Sequence, residues 1–381
     1  MNHQNILNEE FEKISEKVLA NMLYLSKKHR DSGKDILKST NNYTRLMNYY
    51  PLDKTKFFKF NNREMALEDA AKKIILENDK DFIVQKSQLF PIVILADLEN
   101  KDIMIKDCNK KFQLPKILSE NHKNLKTLYQ GSTLYNNQCH RLDDVFEEND
   151  RVVLITSETS YFDFCASNRM IDYETDEQYS IRQYFANGPK FPSLKESKLA
   201  NLLGFNMSII TADNKVIYVK RFKNLSVEKG MYGNGVQASL KYAYTHEHYE
   251  HLTVEGLWYA VKREIMDELR MKDELKITNT EIQKSLRTIY YDYVEAKPQL
   301  YFELKLPFPW TFEQIRKNAN QQNIENSIKE DGSEFIGIDI ERLEEIFVTP
   351  YGFSFDCKFY PMVPSASYCV AQLIENHRKI L

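Results

Sequence analysis

The chain predicts an α+β protein, because helical periodicity and short β-rich runs alternate along its length with no internal repeat. Residues 8–28 place Phe11, Ile14, Val18, Leu19, Met22 and Leu25 at three- and four-residue steps, the spacing of one helix face. Residues 90–95 and 102–105 are apolar and flank a polar turn, and 206–211 and 215–221 flank Ala212, Asp213 and Asn214. These read as two strand pairs, the second a hairpin.

A length of 381 residues suggests two or three folding units, each able to bury a core. With 42% hydrophobic and 28% charged residues, the composition is that of an ordinary globular protein and excludes a disordered or fibrous chain. A net charge of −3 supplies no general attraction to nucleic acid or an anionic membrane, so neither is expected as a partner. Cys108, Cys139, Cys165, Cys357 and Cys369 form no CxxC pair, which points to a reducing cytoplasm rather than a disulfide framework. The N-terminus lacks a signal-peptide pattern, and no apolar run approaches the roughly 18 residues that span a bilayer. A soluble, cytoplasmic protein is expected.

Taken in order, residues 1–150 read as an α+β accessory region. The helix over 8–28 opens it, and a second helix over 64–76 carries Met65, Ala66, Ala70, Ala71 and Ile74. The strands at 90–95 and 102–105 follow, with another at 151–155. Residues 151–200 form a connecting segment whose Gly188, Pro189 and Pro192 mark a loop, with a boundary near residue 200. The remaining 201–381 read as a mixed unit: the hairpin, a helix over 255–271, strands at 287–294, 299–306, 334–339 and 345–348, and a closing helix over 365–378.

The helix over 255–271 carries the chemistry. It consists of good helix formers without an internal proline. Leu257, Val261, Ile265 and Leu269 make an apolar stripe that would dock on a sheet, while Glu264, Asp267 and Glu268 share another face. Like charges at that spacing destabilise a helix by a few tenths of a kcal/mol per pair, so a compensating cation is a natural inference. Oxygen ligands favour Mg²⁺ or Mn²⁺, ions that also hold phosphates and activate water. Considered alone, the three acids are better explained as a solvated face balanced by Lys262, Arg263 and Arg270.

The surrounding pattern reverses that ranking. Glu255, seven residues, then Arg263-Glu264-Ile265-x-Asp267-Glu268 resembles the box of the Nudix hydrolases. The resemblance implies an α/β/α sandwich with a mixed sheet, with Glu264 and Glu268 as catalytic acids. It further implies that Glu264, Asp267 and Glu268 bind metal, and that Glu255 and Arg263 brace the loop–helix junction. Three positions depart from the pattern: Asp267 replaces a glutamate, Arg270 replaces the glycine after the acids, and Tyr249 replaces the opening glycine. Arg270 is read as a helix-interior position whose exchange leaves the metal chemistry alone.

Upstream, residues 203–221 resemble the opening Nudix hairpin, and 230–239 resemble the glycine-bearing segment before the box. Thr159-Ser-Tyr-Phe-Asp-Phe-Cys-Ala-Ser-Asn168 resembles a segment found in the UDP-sugar diphosphatase subgroup, in which Asp-Glu after Arg-Glu is also tolerated. The likeness covers about residues 150–370. It implies Mg²⁺-dependent cleavage of a UDP-sugar, UDP-glucose or UDP-galactose, to UMP and a sugar 1-phosphate. A hydrolase of another nucleotide such as ADP-ribose, and an inactive nucleotide-binding regulatory module, are the alternatives.

Arg221, at a strand end, is a candidate phosphate ligand, and Tyr232 a candidate for stacking on a base; a strand terminus and a packed loop aromatic are their plainer readings. Glu295 and Glu303 stand where a further acid could reach a metal, though a solvated strand position is favoured for Glu303. His246, His248 and His251, with Glu247 and Glu250, fit no zinc spacing and are read as a polar loop. Cys139 and His140 are adjacent, so their side chains point apart on a strand, and they receive no site.

Overall fold

The computed structural model describes residues 39–64, 67–99, 101–119, 136–172, 180–221, 230–271, 275–326 and 334–380. The helix expected over 8–28 lies outside them. In chain order the strands are β1 (Phe57–Asn61), β2 (Ser87–Asp97), β3 (Asp102–Lys111), β4 (Gln138–Glu148), β5 (Arg151–Ser160), β6 (Gly204–Ile210), β7 (Lys215–Lys220), β8 (Tyr232–Asn234), β9 (Val236–Ser239), β10 (Leu286–Asp292), β11 (Lys297–Lys305), β12 (Glu334–Asp339), β13 (Phe347–Thr349), β14 (Gly352–Phe355) and β15 (Lys358–Pro361).

The expected hairpin forms as β6 and β7. Thr211 accepts from the Lys215 amide through its hydroxyl at 3.0 Å, and Asn214 takes φ +60°, a turn conformation asparagine tolerates. Among the described residues the main sheet runs β1-β2-β10-β11-β6-β7-β12, with β8 on β7 and β9 on β6. Its pairs are antiparallel except β11 on β6, where Gln299 lies opposite Gly204 and Lys305 opposite Ile210.

Period-two alternation divides the core. Phe205, Met207 and Ile209 of β6 and Leu300, Phe302 and Leu304 of β11 join one cluster with Leu257, Val261, Ile265 and Leu269. The apolar stripe of the carboxylate helix, Val254–Glu268, is therefore the surface that docks on the sheet. Tyr218, Tyr290 and Tyr301 belong to a second cluster with Val370, Leu373 and Ile374 of the C-terminal helix, Pro364–Ile380. The α+β class is thus observed, with helices serving both clusters.

Several elements differ from expectation. The runs at 90–95 and 102–105 do not pair with each other: β2 is flanked by β1 and β10, whereas β3 pairs in parallel with β5. Phe90, Ile92 and Val93 are buried, as suits a strand with neighbours on both edges. The first two strands therefore belong to the sheet whose centre comes from residues 204–305, while β3-β5-β4 is a separate sheet. The second helix is Asp69–Asn78, later than expected, because Glu68 has an extended backbone. The run at 345–348 ends a 3₁₀ turn, Ile340–Glu345, before β13 begins.

Candidate active site

The carboxylate helix begins where Thr253 accepts from the Gly256 amide at 3.0 Å through its side chain, satisfying one of the donors left open at a helix start. Gly256 sits at a close approach. A Cβ there would stand 3.1 Å from the Thr245 carbonyl oxygen and 3.2 Å from the Tyr249 ring. Tyr249 itself avoids positive φ, so its place in the position of the opening glycine involves no left-handed backbone.

The helix ends differently from expectation. Arg270 lies beyond its last turn with φ +53°. The Arg270 amide donates to the Asp267 carbonyl at 3.2 Å and the Met271 amide to the Met266 carbonyl at 2.8 Å. These bonds define a Schellman C-cap, whose left-handed residue is ordinarily glycine. Arg270 is thus a terminal residue in a strained conformation, not an interior one.

The three acids separate in environment. Glu264 is 1% exposed, and its Oε2 has no hydrogen-bond partner among the described residues. Lys241 Nζ stands 2.7 Å from Glu264 Oε1 and forms an ion pair with it. Burial raises the Glu264 pKa above the usual carboxylate range, and Lys241 opposes that rise. Asp267 is exposed and accepts the Tyr244 hydroxyl at 2.7 Å. Glu268 is half-buried and borders a cleft with Glu264.

That cleft has a volume of about 270 Å³. Glu264, Glu268 and Glu295 line it together with Arg169, Arg221, Lys241 and Lys297, four cationic side chains and three carboxylates. Of the residues singled out in the sequence, Glu264, Glu268, Arg221 and Glu295 line this one cleft. Lys241, Lys297 and Arg169 were not singled out in the sequence, because nothing local marks them.

The Thr159–Asn168 segment holds one side of the cleft. Ser160 and Asp163 form a reciprocal capping box at the turn Tyr161–Phe164. Asn168 Nδ2 then donates to the carbonyls of Glu295 and Ala296 at 3.1 and 2.7 Å, while its Oδ1 accepts the Ala200 amide at 3.1 Å. The next residue, Arg169, pairs with the Glu295 carboxylate. The segment thus clamps the turn that presents Glu295.

Other expected residues stand elsewhere. Tyr232 is 4% exposed, sits edge-on to Tyr360 at 5.1 Å and does not border the cleft, so its ring is a core group and not a base platform. The Glu303 carboxylate is not solvated: it is 7% exposed and receives Arg287, Tyr301 and Asn376 at 3.2, 2.9 and 2.7 Å. Burial raises its pKa against those partners. Glu255 is exposed, and Arg263 lies 5.7 Å from the Tyr244 ring centre instead of pairing with Glu255. Eight residues of helix separate the two by about 12 Å along its axis, too far for direct contact without a bend.

His246 stacks on Tyr242 at 3.5 Å, and His248 meets Tyr259 edge-on. Among the described residues no three His, Cys, Asp or Glu side chains converge as a ready-made metal cage. Cys139 borders the cleft, but burial pushes its thiol up to about 12, leaving it protonated and a poor nucleophile at neutral pH. His140 is fully buried, with its Nε2 2.6 Å from the Thr245 hydroxyl.

No protein-family model matches the chain, and no curated protein matches it.

Proposed function

We propose that this cleft hydrolyses the diphosphate bond of a nucleoside diphosphate derivative with the help of Mg²⁺ or Mn²⁺, a UDP-sugar being the substrate class the resemblance implies. The observation that carries the reading is Glu264: a nearly fully buried carboxylate on a cleft wall, held by one exchangeable lysine and with four cationic side chains around the space. Mg²⁺ commonly takes only one or two protein carboxylates, completing its shell with water and substrate phosphate. Glu264 and Glu268 supply that set without Asp267. When bound, the ion neutralises phosphate charge and makes coordinated water more acidic.

The chain's own groups account for the rest. Arg221, Lys297 and Arg169 offer hydrogen-bond donors to phosphate oxygens, the guanidinium groups with bidentate geometry. Burial keeps Glu264 more basic than a surface carboxylate, which suits it to accept a proton from the attacking water. Glu295, fixed by Arg169, is the further acid lining the cleft.

The ion pair between Lys241 and Glu264 favours a second reading, an inactive nucleotide-binding module, since it occupies the carboxylate that chemistry would need. A panel of UDP-sugars, ADP-ribose and dinucleotides, assayed for phosphate-bearing products with and without Mg²⁺, separates the two. The proposal expects UMP release from UDP-glucose or UDP-galactose that stops with chelator. Binding without turnover selects the second reading, and ADP-ribose turnover alone changes the substrate.

A further inference from the structure

We infer that Lys241 is a latch on the cation site: its ammonium holds Glu264 until a divalent cation displaces it, so this residue sets the metal affinity of the cleft. The inference rests on the proposed metal-dependent reading.

The backbone of Lys241 is fixed. It bridges to Cys139 in antiparallel register, and the neighbouring Leu240 accepts the His140 amide at 3.0 Å and donates to the Leu203 carbonyl at 2.9 Å. Its side chain is not confined in the same way, being 32% exposed although its ammonium ends beside a carboxylate that is 1% exposed. The same ammonium lies 5.0 Å from the Tyr244 ring centre, over the aromatic face. It therefore has a second station: a cation leaving Glu264 can remain over Tyr244 or enter solvent. Tyr244 is itself held, its hydroxyl donating to Asp267 at 2.7 Å.

Charge supplies the logic. A buried carboxylate is unstable unless a cation is nearby, and Lys241 is a cation that stands beside Glu264. The pair is replaceable because the lysine side chain that makes it is 32% exposed and reaches Glu264 from the open side of the cleft. A divalent ion brings twice the charge to the same oxygens, and opening the latch reduces its apparent affinity by the fraction of molecules in which Glu264 is released. Lys241 is thus a positioning residue acting through Glu264.

The test is a calorimetric Mn²⁺ titration of wild type, Lys241→Met and Glu264→Gln, with no nucleotide present. Methionine preserves the length of the lysine stem and removes its charge. The expected result is Mn²⁺ binding about tenfold tighter in Lys241→Met than in wild type, with Glu264→Gln binding much more weakly than both. Mn²⁺ should also raise the melting temperature of Lys241→Met more than that of wild type, because it restores a counter-charge to Glu264. If Lys241→Met does not fold without metal, Lys241→Gln takes its place. Wild type binding as tightly as the folded Lys241 variant overturns the latch and leaves the metal site standing. If neither chain binds Mn²⁺, or if Glu264→Gln binds like wild type, the metal-dependent reading fails and the latch with it.

Discussion

Replacing Asn168 with alanine should cost about 2–4 kcal/mol and weaken the cleft, although Asn168 does not border it. The side chain is fully buried, and its amide joins three stretches of chain. Truncation strips the Ala296 carbonyl of its 2.7 Å donor in a buried setting, a loss of about 1–3 kcal/mol. The Glu295 carbonyl, in a part-buried setting, loses a 3.1 Å donor, for about another 0.5–1.5 kcal/mol. The Ala200 amide is cushioned, because the Ser167 hydroxyl also accepts from it at 3.2 Å. Thermal unfolding is the assay, with an expected drop of roughly 4–8 °C at about 2 °C per kcal/mol for a chain of this size. Asn168→Asp should be worse than Asn168→Ala at neutral pH, since an ionised carboxylate faces two carbonyl oxygens. A loss below about 1 kcal/mol, or an aspartate variant more stable than the alanine one at neutral pH, would refute the clamp.

Three further outcomes follow from the same coordinates. Glu264→Gln should lower metal-dependent turnover by at least about a hundredfold while unfolding stays close to wild type, because the loss of an ion pair is offset by removal of a buried charge; product assays and urea titration measure the two. Arg270→Gly should be more stable than Arg270→Ala by about 0.5–1 kcal/mol, because both lose the guanidinium's hydrogen bond to the Ala319 carbonyl at 3.3 Å and only glycine relieves the left-handed strain; urea midpoints of the pair decide it. Burial drops the His140 pKa from 6.5 to about 4, so below pH 6.5 the unfolded chain takes up a proton that the folded chain refuses. Stability from this group is therefore present above 6.5 and falls by about 3 kcal/mol as pH approaches 4; melting curves across that range should be flatter for His140→Gln than for wild type.

The parts legible in the sequence are those governed by local spacing. The β6–β7 hairpin announced itself through Ala212-Asp213-Asn214, and the carboxylate helix through the four-residue steps of its apolar stripe. What pairs with what was not legible, because register depends on partners distant in the chain. Residues 90–95 read as a partner of 102–105, yet β2 finds β10 nearly two hundred residues later. The same limit hid the basic half of the cleft. Lys297 begins β11, Arg169 ends a short helical turn and Lys241 follows β9, so only the folded sheet gathers them. Tyr232 was a candidate base platform with a packed loop aromatic as the plainer reading, and β8 pairing on β7 decides for packing, in the core against Tyr360. Arg270 could not be recognised as strained until the helix was seen to stop at Glu268.

The pairing of β2 with β10 has a practical consequence for anyone dissecting this chain. A fragment beginning near residue 150 or 200 would retain the carboxylate helix and most of the cleft, but β10 would lose the neighbour that matches Thr288 to Asp97 and Asp292 to Ile92. The row of amides and carbonyls left behind is a template for another strand, so such a fragment should self-associate or precipitate. Its silence in an assay would then report a raw seam and not a missing activity.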